Sequence, residues 1–418
     1  MVAMKDSNIE WIGNIPKHWE ICKVKNGFYQ KKSKACREEP VVLSLARAGV
    51  KVRDITTNEG QLASSYYEYN PVTINDILIN PMDLVSGANC SLSKVEGVIS
   101  PAYINLRYKI GYNPQYYNYY FKYQYWSKAF FTYGKGVSFD NRWTINNETL
   151  MRFPLLHPPL YEQNKIAEFL DEKCAEIDSI SAEIKEQINT LEEYKKSVIT
   201  EAVTKGLNPN VAMKESGAKW IGNIPKTWSV DKFKYHMYRN EIKDKGHLTV
   251  LSLYRELGIV PKDSRDDNHN VTSEDTSKYK YVRIGDFVVN KMKAWQGSVA
   301  VSDYEGIVSP AYYIYQFKDN RFNRKYFHYL LRACYKDEFR RLSGGIREGQ
   351  WDLPADNLES MLIIIPSKEE QNEIVDYLDT KCSAIDKIIK DKQMQLNVLE
   401  EYKKTLIYEY VTGKKEVA

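Results

Sequence analysis

The chain repeats itself. Trp11-Ile12-Gly13-Asn14-Ile15-Pro16-Lys17-His18-Trp19 returns as Trp220-Ile221-Gly222-Asn223-Ile224-Pro225-Lys226-Thr227-Trp228. Val42-Leu43-Ser44-Leu45 returns at Val250-Leu251-Ser252-Leu253, and Ser100-Pro101-Ala102-Tyr103 at Ser309-Pro310-Ala311-Tyr312. Leu191-Glu192-Glu193-Tyr194-Lys195-Lys196 returns at Leu399-Glu400-Glu401-Tyr402-Lys403-Lys404. The whole chain is therefore a duplicated unit of about 208 residues, a pseudo-two-fold repeat carried by one polypeptide. Such a fused, near-symmetric pair calls for a near-symmetric target.

At 418 residues, with a 43% hydrophobic and 27% charged composition, the chain can bury several cores. No stretch approaches the ~18 apolar residues of a membrane span, and the polar run Met1 to Glu10 does not read as a signal peptide. The six cysteines show no CxxC and no histidine at metal-ligand spacing. These features predict a cytoplasmic protein with no zinc and no membrane. Cys174 and Cys382 occupy one position in the two copies and read as small buried helix residues rather than reactive thiols. The net charge of +4 is segregated. All 16 arginines lie within residues 1–160 and 206–367, and none lies in the two segments that follow them. Arginine is a strong phosphate partner and the commonest reader of guanine edges, so a basic piece in each copy favours an anionic partner.

Those arginine-free segments read as long helices. The first follows His157-Pro158-Pro159 and runs from about Glu162 to Thr204, before Gly206. Its heptad positions are Leu170, Ile177, Ile184, Leu191 and Val198, and, four residues on from each, Cys174, Ser181, Ile188, Lys195 and Ala202. The second opens on Ser367-x-x-Glu370, a capping box, and stops at Gly413. About 42 residues at ~1.5 Å each give a helix of roughly 63 Å. The second globular piece follows one helix and precedes the other. Connectivity therefore predicts an antiparallel two-helix coiled coil with a globular piece at each end.

The globular pieces read as mixed α/β, making the whole α+β. Apolar runs at Val41–Leu45, Ile74–Asn80 and Gly97–Asn105 predict strands, with counterparts at Val250–Leu253, Ile284–Asn290 and Gly306–Tyr315. A helix is expected over Gln115–Phe131, with Tyr116, Tyr119, Tyr120 and Tyr123 on one face. That ladder reads as packing more readily than as base stacking, because the second copy places Leu330 and Ala333 at two of the four positions. The expected domains are residues 1–160, helix 161–206, residues 207–367 and helix 368–418.

Catalytic machinery is missing from the pattern. There is no GxxxxGK[ST] and no GxGxxG opening a helix. The only Pro-Pro, Pro158-Pro159, sits at a helix start and lacks the acidic or amide residue of an amino-methyltransferase loop. Glu183-x-Lys185 has nuclease-like spacing but falls on a charged helix face, and the second copy has Asp391-x-Gln393. The chain is expected to do no chemistry of its own.

The ordered set of motifs resembles the specificity subunits of type I restriction–modification enzymes over nearly the entire chain. The matching features are the Trp-Ile-Gly-x-Ile-Pro-x-x-Trp openings, the Ser-Pro-Ala-Tyr segments, the Glu-Gln-Asn helix starts at Glu162 and Glu370, and the Leu-Glu-Glu-Tyr-Lys-Lys seams. The resemblance implies two target-recognition domains, each reading one half of a split site in double-stranded DNA, with the coiled coil setting the half-site spacing. It implies two modification subunits that bind S-adenosylmethionine, and two ATP-using restriction subunits. No cofactor is expected on this chain itself. Half-sites one turn apart are ~34 Å from each other, within the expected helix length.

Base-reading residues are expected to be long, polar and on loops between the strands. Arg47 and Arg255 share one position after the Leu-Ser-Leu strand, which suits phosphate positioning. Lys51 and Arg53 lie on the loop that follows. The glycine-rich loop before Trp143 supplies Lys135, Ser138, Asn141 and Arg142, and its counterpart before Trp351 supplies Arg347 and Gln350. Lys291, Lys293 and Gln296 form a third candidate loop in the second copy, where Asp83 opposes Lys293. Two other readings stay open at the level of sequence: a coiled-coil adaptor without DNA specificity, and a stand-alone DNA-modifying enzyme. Salt-dependent duplex binding separates the first, and methyl transfer by the purified chain the second.

Overall fold

The computed structural model describes residues 3–36, 40–46, 49–56, 63, 65–82, 84, 90–136, 143–243, 245–254, 257–264, 275–345 and 351–417. The chain divides into two units, residues 1–185 with 393–418, and residues 186–392. Each holds one mixed α/β domain and a stretch of both long helices, Leu160–Lys205 and Lys368–Val411. Among the described residues, no helix is long and apolar enough to cross a membrane.

In the first unit a four-stranded antiparallel sheet runs in the order Phe28–Gln30, Ile104–Tyr108, Ile77–Ile79, Cys90–Leu92. The inner strand Ile77–Ile79 is apolar at every position because both its faces are covered. Ile77 and Ile79 enter the main core, while Leu78 joins a smaller cluster with Leu43, Leu45, Val72 and Ile99. The period of two along a strand does this sorting. The second unit repeats the design in the order Met237–Asn240, Tyr312–Phe317, Phe287–Asn290, Val299–Val301. Phe287 and Val289 face one core and Val288 the other.

Two expected strands are each two strands. Gly97–Ile99 pairs with Asn70–Val72, whereas Ile104–Tyr108 joins the four-stranded sheet. Ser-Pro-Ala-Tyr is the turn between them, closed by Tyr103 N–H donating to the Ser100 carbonyl at 3.0 Å, and by Tyr312 to Ser309 at 3.2 Å. The glycines opening these strands let backbone approach backbone. A Cβ on Gly97 or Gly306 would lie 2.4 Å from the Val41 or Thr249 carbonyl oxygen.

The tyrosine-rich helix spans Pro114–Trp126, shorter than the sequence suggests. Asn113 caps it by accepting from the Gln115 and Tyr116 N–H groups. It ends where Lys128 takes a left-handed conformation (φ 57°), and a separate turn of helix covers Ala129–Thr132. Base stacking is ruled out for Tyr116, Tyr119 and Tyr120, which are buried. Their hydroxyls donate to the Val411 carbonyl, the Asp171 carboxylate and the Pro154 carbonyl. Tyr326 of the second unit donates to the Val203 carbonyl in the same way.

The long helices pair antiparallel within each unit. In the first, Asp178 meets Lys403 at 2.6 Å and Phe169 packs on Tyr410. In the second, Lys195 meets Asp386 at 2.6 Å and Lys392 donates to the Gln187 side chain. Leu170, Ile177, Ile184, Ile188 and Val198 are buried along the first helix, and Leu378, Ile385 and Leu406 along the second. Lysine at a seam position is thus resolved by reaching a polar side chain on the facing helix, a carboxylate for Lys195 and Lys403 and an amide for Lys392. Cys174 and Cys382 are buried in these seams.

The Glu-Gln-Asn motif is a latch between helix start and domain. Glu162 accepts from the Trp19 indole at 2.7 Å, and Glu370 from Trp228 at 2.8 Å. Gln163 accepts from the Asn113 N–H and donates to the Gly111 and Pro158 carbonyls; Gln371 does the same with Asn323, Arg321 and Pro366. The capping box is consequently half made. Ser367 Oγ accepts from the Glu370 N–H at 3.1 Å, but the Glu370 carboxylate serves the Trp228 indole instead of closing the reciprocal bond. Gly206 and Gly413 follow the helices with φ of 75° and 69°, the left-handed exit that glycine adopts without strain.

Candidate nucleic-acid interface

The hairpin Leu43–Ala46/Gly49–Val52 carries the first candidate group. Lys51 lies on its second strand rather than on a loop, with an exposed side chain, because the pairing runs on to Leu43 opposite Val52. Arg53 extends the ladder, its N–H donating to the Val42 carbonyl at 2.8 Å, and the residue makes a further interaction. Arg47 and its counterpart Arg255 lie outside the described residues.

A second group gathers two segments distant in sequence. In the second unit, Leu353 N–H donates to the Lys291 carbonyl at 3.0 Å, and Lys291 Nζ lies 3.6 Å from Asp352. Gly344 bridges to Asp352, forming the neck of the glycine-rich loop. Lys293 precedes a single 3-10 turn, Ala294–Gln296, and is exposed; Gln296 is half-buried and engaged. The Trp295 and Trp351 rings meet edge to face at 5.6 Å, with the Arg340 guanidinium 5.9 Å from Trp351. Lys291, Lys293 and Gln296 are thereby held beside the neck of the loop that contains Arg347 and Gln350. Those two residues lie outside the described residues. Sequence reasoning misses Trp295 and Arg340, since an arginine in an amphipathic helix carries no mark of the ring it covers.

The first unit builds the same neck. Lys135–Gly136 pairs with Trp143–Thr144, so Lys135 is an exposed strand residue at the mouth of the loop rather than in it. Gly134 is required by packing, since a Cβ there would lie 2.6 Å from the Trp143 indole. Leu84 N–H donates to the Trp143 carbonyl and Ile145 N–H to Pro81, joining the Asn80–Leu84 segment to this neck. Ser138, Asn141 and Arg142 lie outside the described residues.

Some cations are occupied internally. Buried Asp76 holds Lys31 at 3.1 Å and Arg107 at 3.0 Å. The register places Gln316 where the first unit has Arg107, and Gln316 donates to Asp286. Burial raises the Asp286 pKa, against the opposing pull of the Arg283 N–H, Gln316 and nearby guanidinium groups. His328, half-buried, accepts from the Val301 N–H at 3.2 Å. Burial first and the Arg332 charge second push its pKa down to about 4, so it is neutral at neutral pH and adds no positive charge here.

Comparison with known proteins agrees with this duplicated construction. The family model for the type I restriction modification DNA specificity domain matches twice, over residues 17–190 and 228–398. The chain is 27% identical over 306 residues to the type I restriction enzyme MjaVIII specificity subunit of Methanocaldococcus jannaschii, covering 68% of this chain and 66% of that protein. It is 27% identical over 280 residues to the putative MjaX specificity subunit of the same organism, covering 66% of this chain and 62% of that one. The chain thus aligns with less than two thirds of the length of either relative. Its fold is similar to that of a chain from a solved type I R-M system, with a TM-score of 0.69 at 12% identity over 96% of this chain and 99% of the other. It is similar also to the HsdS subunit of Thermoanaerobacter tengcongensis, with a TM-score of 0.50 at 13% identity over 96% and 98%. With that domain matched in both halves, the chain belongs to the type I restriction modification DNA specificity domain family.

Proposed function

We propose that this chain is the DNA-recognition subunit of a type I restriction–modification complex, each unit reading one half of an asymmetric bipartite site. The observation that carries the reading is the double family match, each match covering most of one unit with its own basic loop neck. Divergence supports asymmetry: the necks keep Trp143 and Trp351, but the second unit adds Lys291, Lys293 and Trp295 beside its own. Lys51, Lys135, Lys291 and Lys293 suit phosphate contact, and Arg53, Gln296, Arg347, Gln350, Asn141 and Arg142 suit base edges, with Ser138 able to serve either. Arg47 and Arg255 would position the backbone. The chain itself is non-catalytic in this reading. S-adenosylmethionine and ATP belong to two modification and two restriction subunits, the long helices dock the former and set half-site spacing, and the complex works in the cytoplasm.

The test is methylome mapping in a host carrying this chain with its modification subunits. One asymmetric, two-part methylated motif is expected, and exchanging residues 207–367 for those of a relative should change one half only. A motif that is absent, undivided or indifferent to the exchange would refute the proposal. Arg347→Ala is expected to relax the second half by about 1–3 kcal/mol for each bidentate base pairing removed, while the complex still assembles.

A further inference from the structure

The turn that leaves the inner strand of each four-stranded sheet carries an exposed methionine that packing does not account for. Asn80-Pro81-Met82 follows Ile77–Ile79, and Asn290 ends the counterpart strand Phe287–Asn290 and leads into Lys291-Met292. The asparagine has a local reason to recur. Its side-chain oxygen accepts the methionine N–H, at 3.0 Å in the first unit and 3.2 Å in the second, which makes an Asx turn. The residue before the methionine is tied to the loop neck in both units, Pro81 accepting from the Ile145 N–H at 2.9 Å and Lys291 from the Leu353 N–H at 3.0 Å. Around these fixed points the side chains have diverged: Pro81 against Lys291, Asp83 against Lys293, Leu84 against Ala294. The methionine is unchanged.

The methionine does not anchor the turn. That part falls to Leu84 and Ala294, two residues on, which are buried in the main core of their units. Met82 and Met292 stand 45% and 39% exposed. Cations belong to the same two groups of residues: Lys135 at the mouth of the first neck, and Lys291 and Lys293 on either side of Met292 in the chain. An apolar side chain kept in water, at one position in both units and beside cations, suits an anionic partner that offers an apolar spot. In the major groove of DNA that spot is the 5-methyl group of thymine. A thioether has no donor and only a weak acceptor, so it cannot match the hydrogen-bonding edges of the other bases. Its soft, unbranched chain can cover a methyl group.

We propose that Met82 and Met292 are specificity-determining residues, each packing on the 5-methyl group of a thymine in the half-site read by its own unit. The inference rests on the function proposed above and deepens it. Each half-site then holds at least one T·A pair read by its methyl group, beside the positions that the loops read through hydrogen bonds. The flanking lysines hold the phosphates, and the Asx turn fixes the methionine at the end of a rigid strand.

With the methylated motif in hand, the assembled complex is titrated against duplexes in which deoxyuridine replaces thymine at one position of the motif at a time, on either strand. Uracil keeps the hydrogen-bonding edge of thymine and lacks only the methyl group. For the native complex, one such replacement in each half should lower affinity about fourfold, the effect of one buried methyl-sized group. Met292→Ala should weaken binding of the all-thymine duplex to a similar degree and abolish the uracil penalty in the second half, leaving that in the first. Met82→Ala should do the reverse. Both side chains are exposed, so both variants should keep the native unfolding temperature. Uracil tolerated at every thymine, a half-site without thymine on either strand, or a penalty that survives the matching methionine variant would overturn the assignment. A native complex that binds its motif no better than random duplex would instead bring down the functional proposal on which it rests.

Discussion

His328 should make the second unit acid-sensitive. Its Nδ1 accepts the Val301 N–H, a bond that needs an unprotonated nitrogen, and its folded pKa is about 4 against an ordinary value of 6.5. Below pH 6.5 the unfolded chain therefore holds more protons than the folded one. The stabilisation is fully present above that pH and is lost as pH falls toward the folded pKa. Between pH 7.5 and pH 5.0 the loss integrates to about 2 kcal/mol. For a unit of this size that corresponds to roughly 4–8 °C in unfolding temperature. His328→Asn keeps an acceptor for the Val301 N–H but does not titrate. Calorimetry of the full chain and of this variant at both pH values isolates the effect from Asp286 and Glu162, which titrate in both. The native second-unit transition should fall further than the variant's by that margin. If the two transitions fall in parallel, the imidazole is not held neutral by its surroundings and the reasoning fails.

Three further perturbations follow from the same geometry. Trp228→Phe removes the indole donor to Glu370 and should destabilise the second unit by about 2 kcal/mol or more, read by urea unfolding, because a hydrogen bond to a charged group contributes about 1.5–3 kcal/mol; an unchanged midpoint would show that the latch is ornamental. Gly306→Ala sets a Cβ against the Thr249 carbonyl and should sharply lower soluble yield, whereas Gly344→Ala, where a Cβ meets nothing within 4 Å, should not. Lys291→Ala with Lys293→Ala should reduce the salt dependence of random-duplex binding by the assembled complex, by about 0.9 in log–log slope for each phosphate no longer neutralised. A slope equal to the native one would remove both lysines from the interface.

The long helices were readable in the sequence because heptads are a local, repeated signal. The duplicated motifs were equally visible, but their meaning was not. Nothing in Glu162-Gln163-Asn164 announces that the three side chains reach Trp19, the Asn113 backbone and the Asn113 amide. Strand boundaries failed at Ser-Pro-Ala-Tyr because alanine and tyrosine prolong an apolar run that the backbone in fact breaks. The tyrosine helix was cut short by Lys128, whose left-handed conformation no residue type in Trp126–Phe131 foretells. At the candidate interface, single residues were legible by charge and loop position. The joining of Lys291 to Leu353 was not, since it depends on pairing across some sixty residues of intervening chain.

The make-up of the first unit bears on how the protein is synthesised. Tyr116 donates to Val411, and Lys414 to the Ile12 carbonyl, so the domain of the first unit is completed by a segment synthesised well after it. The second unit, residues 186–392, is contiguous and can close as it emerges. At about 5–20 residues per second, the earlier domain waits on the order of 10–40 s for its final helix. During that interval the face meant for Leu406, Ile407 and Val411 is bare. A stop codon just after residue 392 would accordingly injure the first unit and spare the second.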